Sequence, residues 1–551
     1  MLRAALFLAL FALPAMASGA QTCALGTAEA RLRGVDVEAA LFTNGNLFYG
    51  NQTTDGSGYV TPLGENALNG QPRSPVFAST LWLGGKVGGD IRASAARYTN
   101  FVFRPGQTGA DHVPPDSTAC AEADRIWVVS RDDIAAYYAG ATPEADLAEW
   151  PVHLGAPVLD GDGIAGNYDL EAGDQPAIRG DVMAFWAMTD MASGTPFGET
   201  AAGVDVAAEA FAIRTSPFRD ETFYRFTITN RNGTPLDSAY VGLHHDFDIG
   251  ERTNDRIGTD TTAQMLYVYN GTDTDPFFNG APPAHGVVVA RGPVGLANGR
   301  DDDGDGTVDE PGEPLGLTGS ALYALTCPHC TSGDPDGVFQ FYNYLQGRWG
   351  DGSVMRANGN GYRQPAQYPR TRFLYAGDPV SGEGWSEVNA DGAGTPIPAG
   401  DRRGIPGSGP FRLLPDSSTS VTFALVYAQG TDRFDSITHL RSDARRVLAA
   451  QASGAFEPSR VEGFEPRQRP LAVSRPRPNP FREATTILIQ APANTAVQVS
   501  VYDALGRRLS VSDAETPEAR VEIGRGLAPG VYVVRVEGAG FAETFTAVKT
   551  R

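Results

Sequence analysis

Four groups of residues in this sequence have types and spacings suited to metal or thiol chemistry. In Asp301-Asp302-Asp303-Gly304-Asp305-Gly306-Thr307-Val308-Asp309-Glu310, carboxylates stand at the first, third and fifth places of a tight turn. Calcium takes about six to eight oxygen ligands, and this spacing aims Asp301, Asp303 and Asp305 at one point. Gly306 makes the turn, Thr307 offers a carbonyl, and Val308 is expected to anchor the loop in the core. Gly312 stands where a bidentate Glu would complete the loop, so Asp309, Glu310 or Glu313 has to substitute. A looser cluster comprises Asp160-Gly161-Asp162-Gly163 with Asn167, Asp169, Glu171 and Asp174, where Ile164 breaks the carboxylate spacing. A third is His244-His245-Asp246-Phe247-Asp248 with Asp255 and Asp260. On a strand, His244, Asp246 and Asp248 share one face and His245 takes the other. One reading is a metal-bound water used for hydrolysis; the other is a calcium or hydrogen-bonded site tying the strand Gly242–Ile249 to the loop Thr253–Asp260. Cys327-Pro328-His329-Cys330 has redox-motif spacing, but the Gly- and Pro-rich stretch after it cannot form the helix that lowers a thiol pKa. A loop disulfide is the expectation there.

The elements that must position these groups read as strands and turns. Gly 65 and Pro 39 are high for a helical protein and suit short strands joined by many turns, while 41% hydrophobic residues supply buried cores. Tyr224, Phe226 and Ile228 alternate with polar neighbours, as do Val421, Phe423, Leu425 and Tyr427, the pattern of half-buried strands. Val76–Leu83 is a strand, with Gly84-Gly85 and Gly88-Gly89 bracketing a turn into Ile91. Ser130 with Asp133 forms a capping box, and Thr142-Pro143-Glu144 starts a helix with Pro at its first position. Ser436–Gln451 is amphipathic, with Ile437, Leu440, Ala444, Val447 and Leu448 on one face. The expected fold is mainly β, a multi-domain antiparallel β-sandwich architecture with a few short helices and a small C-terminal β-sandwich. Residues 21–151 form an N-terminal β-rich module, 152–455 a central sandwich with Asp/Gly-rich loops, 456–477 a linker and 478–551 the terminal domain. No repeat of about 20–50 residues indicates a solenoid or propeller.

The ends carry an address. Arg3, the apolar run Ala4–Leu13, Pro14 and the small residues Ala15/Ala17 and Ser18/Ala20 have the layout of a signal peptide over residues 1–20. No later run reaches the roughly 18 apolar residues of a membrane span, so no transmembrane segment is expected. The four cysteines suit an oxidising compartment. Beside a Cys327–Cys330 pair, Cys23 and Cys120 would close a loop that chain-entropy reasoning values at roughly 4–5 kcal/mol, although other connectivities stay open.

Pro478-Asn479-Pro480-Phe481, then Val501-Tyr502-Asp503-Ala504-Leu505-Gly506-Arg507, then Leu527-Ala528-Pro529-Gly530-Val531-Tyr532-Val533-Val534-Arg535, then Thr544-Phe545-Thr546-Ala547-Val548-Lys549 resemble in order and spacing the type A C-terminal sorting domain of the type IX secretion system. Arg477 replaces the Tyr usual before Pro-Asn-Pro. The resemblance implies partners, a secretion translocon and its sorting peptidase, and sorting roles for Pro478, Asn479, Pro480, Gly506, Gly530 and Lys549. It implies a secreted protein, extracellular or attached to the outer cell surface after both ends are removed. The Asp301 loop resembles the calcium loops of EF-hand-like and thrombospondin-type repeats. In the body, Phe77–Gly85, Glu149-Trp150-Pro151, Asp246–Gly250, Tyr344–Trp349 and Gly400-Asp401-Arg402-Arg403 resemble a group of secreted proteins with the same sorting domain, to which no activity is attached.

With 44 Lys+Arg against 65 Asp+Glu over 551 residues, the net charge is −21, which argues against nucleic acid as a partner. His-Glu-x-x-His and Gly-x-Ser-x-Gly are both absent. The functional expectation is therefore a calcium-stabilised secreted or surface protein with a binding, adhesion or surface-structural role toward a glycan or protein ligand. The alternative is a secreted hydrolase of polysaccharide or peptide whose paired carboxylates come from residues such as Glu199, Glu209 or Asp220.

Overall fold

The computed structural model describes residues 23–50, 58–64, 70, 72–98, 101–109, 112–192, 201–278, 280–295, 307–308, 312–323, 333–461, 472–490, 496–514, 518–538 and 541–551. Residues 1–20 of the expected signal, the acidic residues Asp301, Asp303, Asp305 and Asp309, and Cys327 and Cys330 lie outside them. Among the described residues the chain is mainly β, with few helices and antiparallel pairing between its named strands, as the alternation pattern predicts.

Two nine-stranded sheets build the body. The first runs in the order Glu29–Arg33, Glu38–Phe42, Asn46–Leu47, Val76–Val87, Leu236–Phe247, Arg402–Leu413, Gly319–Tyr323. The second runs Asp255–Asp260, Met265–Asn270, Ala284–Arg291, Ser418–Ala428, Thr222–Asn230, Val204–Ala212, Val182–Thr189, Arg104–Pro105. One hydrophobic core draws on both sheets, including Leu41, Leu81, Leu243 and Phe247 from the first and Trp186, Val206, Tyr224 and Phe423 from the second. A second core covers the other face of the second sheet, where Phe185, Phe223, Met265 and Val426 meet Ile437, Leu440, Ala444 and Val447 of the helix Arg433–Ala452. The boundary expected at residue 151 therefore does not separate two cores. Val76–Val87 pairs with Leu236–Phe247, and Trp127–Ser130 pairs with Val182–Thr189, so segments from either side of 151 share each sheet.

Local expectations fare unevenly, for identifiable reasons. The Ser130 capping box is present, and the long helix buries the expected face but starts earlier because Asp432 accepts from the Phe434 and Asp435 amides. The helix expected from Pro143 begins instead at Ala145, after an extended Glu144. Gly84 and Gly85 are not turn residues: they lie inside the strand Val76–Val87, where a Cβ on Gly85 would stand 2.8 Å from Leu236 Cδ1. The turn is made by Gly88 and Gly89, both at positive φ. Cys23 and Cys120 form a disulfide, as the pairing argument expects.

Residues 472–549 hold a three-stranded and a four-stranded sheet around a separate core of Phe481, Ile487, Ile489, Val499, Val501, Val534 and Val536, among others. The sorting motifs knit its last strand to its first loop. Asn479 donates from Nδ2 to the Thr546 carbonyl and accepts the Val548 amide. Phe481 exchanges backbone bonds with Val548 and Thr550. Lys549 Nζ donates to the Gly524 carbonyl at 2.8 Å and lies over the Phe481 ring. Gly506, at positive φ, closes the turn in which Asp503 accepts the Leu505 and Arg507 amides, and Gly530 opens the strand Gly530–Gly538.

Candidate metal centre

The strand Leu236–Phe247 lies between Val76–Val87 and Arg402–Leu413, which fixes the neighbours of its polar residues. Register places Ala78, Asp246, Arg403 and Tyr323 in one row across four strands, with Thr80 beside His244 one step along. His244 and His245 face opposite ways, as alternation requires. His244 stacks on Trp82 at 5.0 Å, with the Tyr323 hydroxyl 2.7 Å from Nε2 and the Thr80 hydroxyl 3.2 Å from Nδ1. His245 turns inward, its Nε2 3.2 Å from that of His285 and its Nδ1 beside the Ser79 hydroxyl. Both imidazoles are fully buried, and burial holds each well below the usual histidine range, reinforced at His244 by Arg403 and Arg97 and at His245 by the neighbouring imidazoles of His285 and His244. Neutral, enclosed rings with both nitrogens engaged are structural pillars here and do not join the carboxylates.

Asp246, Asp248 and Asp401 do come together, each offering an oxygen within 4.8 Å of the others. Asp401 is brought by the loop ahead of the strand Arg402–Leu413, where the Gly400 amide donates to the Asp255 carbonyl. Arg403 serves two of the three, with Nε 2.9 Å from Asp246 Oδ2 and Nη2 3.2 Å from Asp401 Oδ2. Their other oxygens, Asp246 Oδ1 and Asp401 Oδ1, are buried without a hydrogen-bond partner, although Asp246 is only 1% exposed. Such oxygens carry a large desolvation cost unless something meets them. Asp255, fully buried beside Asp248, accepts the Ile249 amide through Oδ2 and leaves Oδ1 without a partner. Burial pushes Asp246 up to about 7 against the pull of Arg403. Burial, then the charges of Asp246 and Asp401, pushes Asp248 up to about 8, while Asp255 rises well above the carboxylate range. An all-oxygen donor set with unmet lone pairs suits a hard cation at about 2.3–2.6 Å from each ligand.

The other sequence candidates are distributed elsewhere. Asp260 is not part of this cluster: it accepts the Thr262 and Ala263 amides and pairs with Arg441 at 3.0 Å. Asp160 and Asp162 converge with Asp174 within 4.8 Å, but their oxygens already accept backbone and Asn167 donors. Asp169 instead caps a short 3-10 turn through the Glu171 and Ala172 amides. Thr307 and Val308 are the described remnants of the Asp301 loop, and Val308, expected in the core, is 55% exposed. Asp401 escaped the sequence reading because nothing local to it signals a ligand; only the cross-strand pairing of Asp246 with Arg403 brings it near.

Of the carboxylates considered for hydrolysis, Glu199 lies outside the described residues. Glu209 is buried between Arg179 at 3.0 Å and Arg225 at 3.7 Å. Asp220 shares a hydrogen bond with its neighbour Glu221, which burial and then the Asp220 charge push up to about 9. Glu221 is thus protonated at neutral pH. A raised folded-state pKa contributes stability that is complete below the unfolded value and lost as pH rises toward about 9. Glu221→Gln is expected to match the parent near pH 4 and to exceed it by about 1–3 kcal/mol at pH 9 in urea unfolding. Equal stability at pH 9 would refute the shared proton.

Comparison with known proteins bears on the C-terminal end of the chain more than on its body. Residues 478–548 match the family described as the secretion system C-terminal sorting domain. That domain supports the type IX secretion assignment, implies interaction with the secretion machinery, and marks the chain for export to the cell surface or the extracellular space. No curated protein matches the chain. Among solved structures, it is similar to a polysaccharide lyase, at 10% identity over 65% of this chain and 36% of that one, with a TM-score of 0.18. It is also similar to a β-glucuronidase of Faecalibacterium prausnitzii, at 15% identity over 28% of this chain and 31% of that one, with a TM-score of 0.11. The chain spans about a third of the length of either structure, and at such scores neither likeness bears on fold or activity. No helix among the described residues is long and apolar enough to cross a membrane.

Proposed function

We propose that this protein is a calcium-stabilised β scaffold of the cell surface or medium, acting in binding, adhesion or surface structure. In this reading residues 1–20 direct export to the periplasm, and the terminal domain engages the translocon and sorting peptidase. The observation that carries the reading is the convergence of Asp246, Asp248 and Asp401 within 4.8 Å with buried oxygens left unmet. A cation there would join the strand Leu236–Phe247 to the loop before Arg402, and through Asp255 to the second sheet. It would neutralise charge where Asp246, Asp248 and Asp401 converge, one of them buried and two half-buried.

Calorimetric titration of the chelator-treated protein with calcium tests this. Saturable binding is expected, with at least tenfold weaker affinity at this site after Asp248→Asn and an unchanged far-ultraviolet circular dichroism spectrum. Absence of calcium heat in the parent, or titrations of parent and Asp248→Asn that superimpose, would refute the assignment.

A further inference from the structure

Beside the carboxylate cluster stand three aromatic rings. Tyr49 and Phe77 are 4.6 Å apart, Phe77 and Tyr98 5.4 Å, and Tyr49 and Tyr98 5.5 Å between centroids. All three are partly exposed, and among the described residues they belong to none of the hydrophobic core clusters. Packed on one another and partly exposed, they form a small aromatic platform. Its position is specific. Phe77 is the extra residue at an irregularity in the pairing, between Ala78 opposite Asp246 and Val76 opposite Phe247, and the Asp248 amide donates to the Pro75 carbonyl. The Tyr98 phenol lies in the field of Arg403, Asp246, Asp334 and Arg97.

We infer that the cluster and this platform together bind a neutral glycan, the bound cation taking vicinal hydroxyls of a sugar whose apolar face lies on Tyr98 and its neighbours. The inference rests on the cation reading above. Asp246 has one oxygen committed to Arg403, so the three aspartates leave a calcium shell of about six to eight ligands incomplete. The partly exposed Asp248 and Asp401 set the open positions toward solvent. Charge selects the ligand class. By formal charge Asp246, Asp248, Asp401 and Asp255 are matched by one divalent ion, Arg403 and Arg252, and Arg97 is paired with Asp334, so no excess positive charge draws an acidic sugar. Hydroxyl oxygens complete the shell at no electrostatic cost, and an aromatic face suits the C–H surface of a pyranose.

The test uses affinity electrophoresis of the secreted protein on mannan and 1,6-linked galactan, which present adjacent cis hydroxyls, and on polygalacturonate, with calcium titrated alone in parallel. Retardation by mannan or galactan in calcium, abolished by chelator, is expected. Tyr98→Ala, or Tyr49→Ala should the first variant lose its near-ultraviolet spectrum, should weaken it at least tenfold while calcium affinity stays unchanged. Calcium binding without retardation by either neutral polymer, retardation by polygalacturonate alone, or indifference to both ring variants would overturn the glycan inference and leave the cation reading standing. Failure to bind calcium at all would overturn both.

Discussion

A chain lacking Pro478–Arg551 is expected to accumulate in the periplasm, with surface and medium fractions falling at least tenfold, while its body folds normally. The separation of cores is the reason to expect a delivery defect rather than misfolding. The terminal domain has its own core, and neither body core contains any of its residues. A subtler variant discriminates signal from bulk. Asn479→Ala removes a side chain that bonds both the Thr546 carbonyl and the Val548 amide, loosening the last strand with little change in size. Losing such a pair of side-chain-to-backbone bonds costs about 1–3 kcal/mol, a large share of what so small a sandwich can hold. Fractionation and immunoblotting read the outcome. Normal surface delivery of the deleted chain would contradict the sorting role.

The second large effect is a pH-dependent response to calcium. Asp246 and Asp248 sit near 7 and 8 in the folded, ion-free protein, against about 3.9 for an unfolded aspartate. Both are raised, so their contribution is complete below about pH 4 and drains away as pH climbs through 7 and 8. The ion-free protein should therefore lose stability from mildly acid to mildly alkaline pH on account of these two groups. Calcium replaces the protons and removes that loss. At calcium about a thousandfold above Kd, mass action supplies about 4 kcal/mol. For a body of this size that is roughly 3–6 °C of Tm at pH 8, shrinking toward zero near pH 5, where protons compete.

What could be read from the chain divides along the range of the interactions involved. The alternation of Tyr224, Phe226 and Ile228, the face of the helix carrying Ile437 and Leu440, and the Ser130 cap depend on neighbours a few residues away, and they stand as expected. The Asn479 clamp was anticipated as a motif without its geometry, because its partners lie at the far end of the domain. The boundary at 151 failed for the same reason that Asp401 was overlooked. Strand pairing across long stretches of chain leaves no periodic trace, and it alone sets Val76–Val87 and Arg402–Leu413 on either side of Asp246. Gly84 and Gly85 illustrate the ambiguity of glycine, read as a turn but required for close approach to Tyr342 and Leu236. Asp260 shows the opposite error, since closeness to Asp255 in sequence suggested a shared site and its side chain instead meets Arg441.

The cation claim meets its most direct test in thermal melting of the purified protein at pH 8, with calcium and with chelator, for the parent and for Asp248→Asn. The account predicts that calcium raises the Tm of the parent by roughly 3–6 °C and that most of this rise disappears in the variant. Equal melting temperatures of the parent in calcium and in chelator, or an undiminished rise in Asp248→Asn, would contradict it.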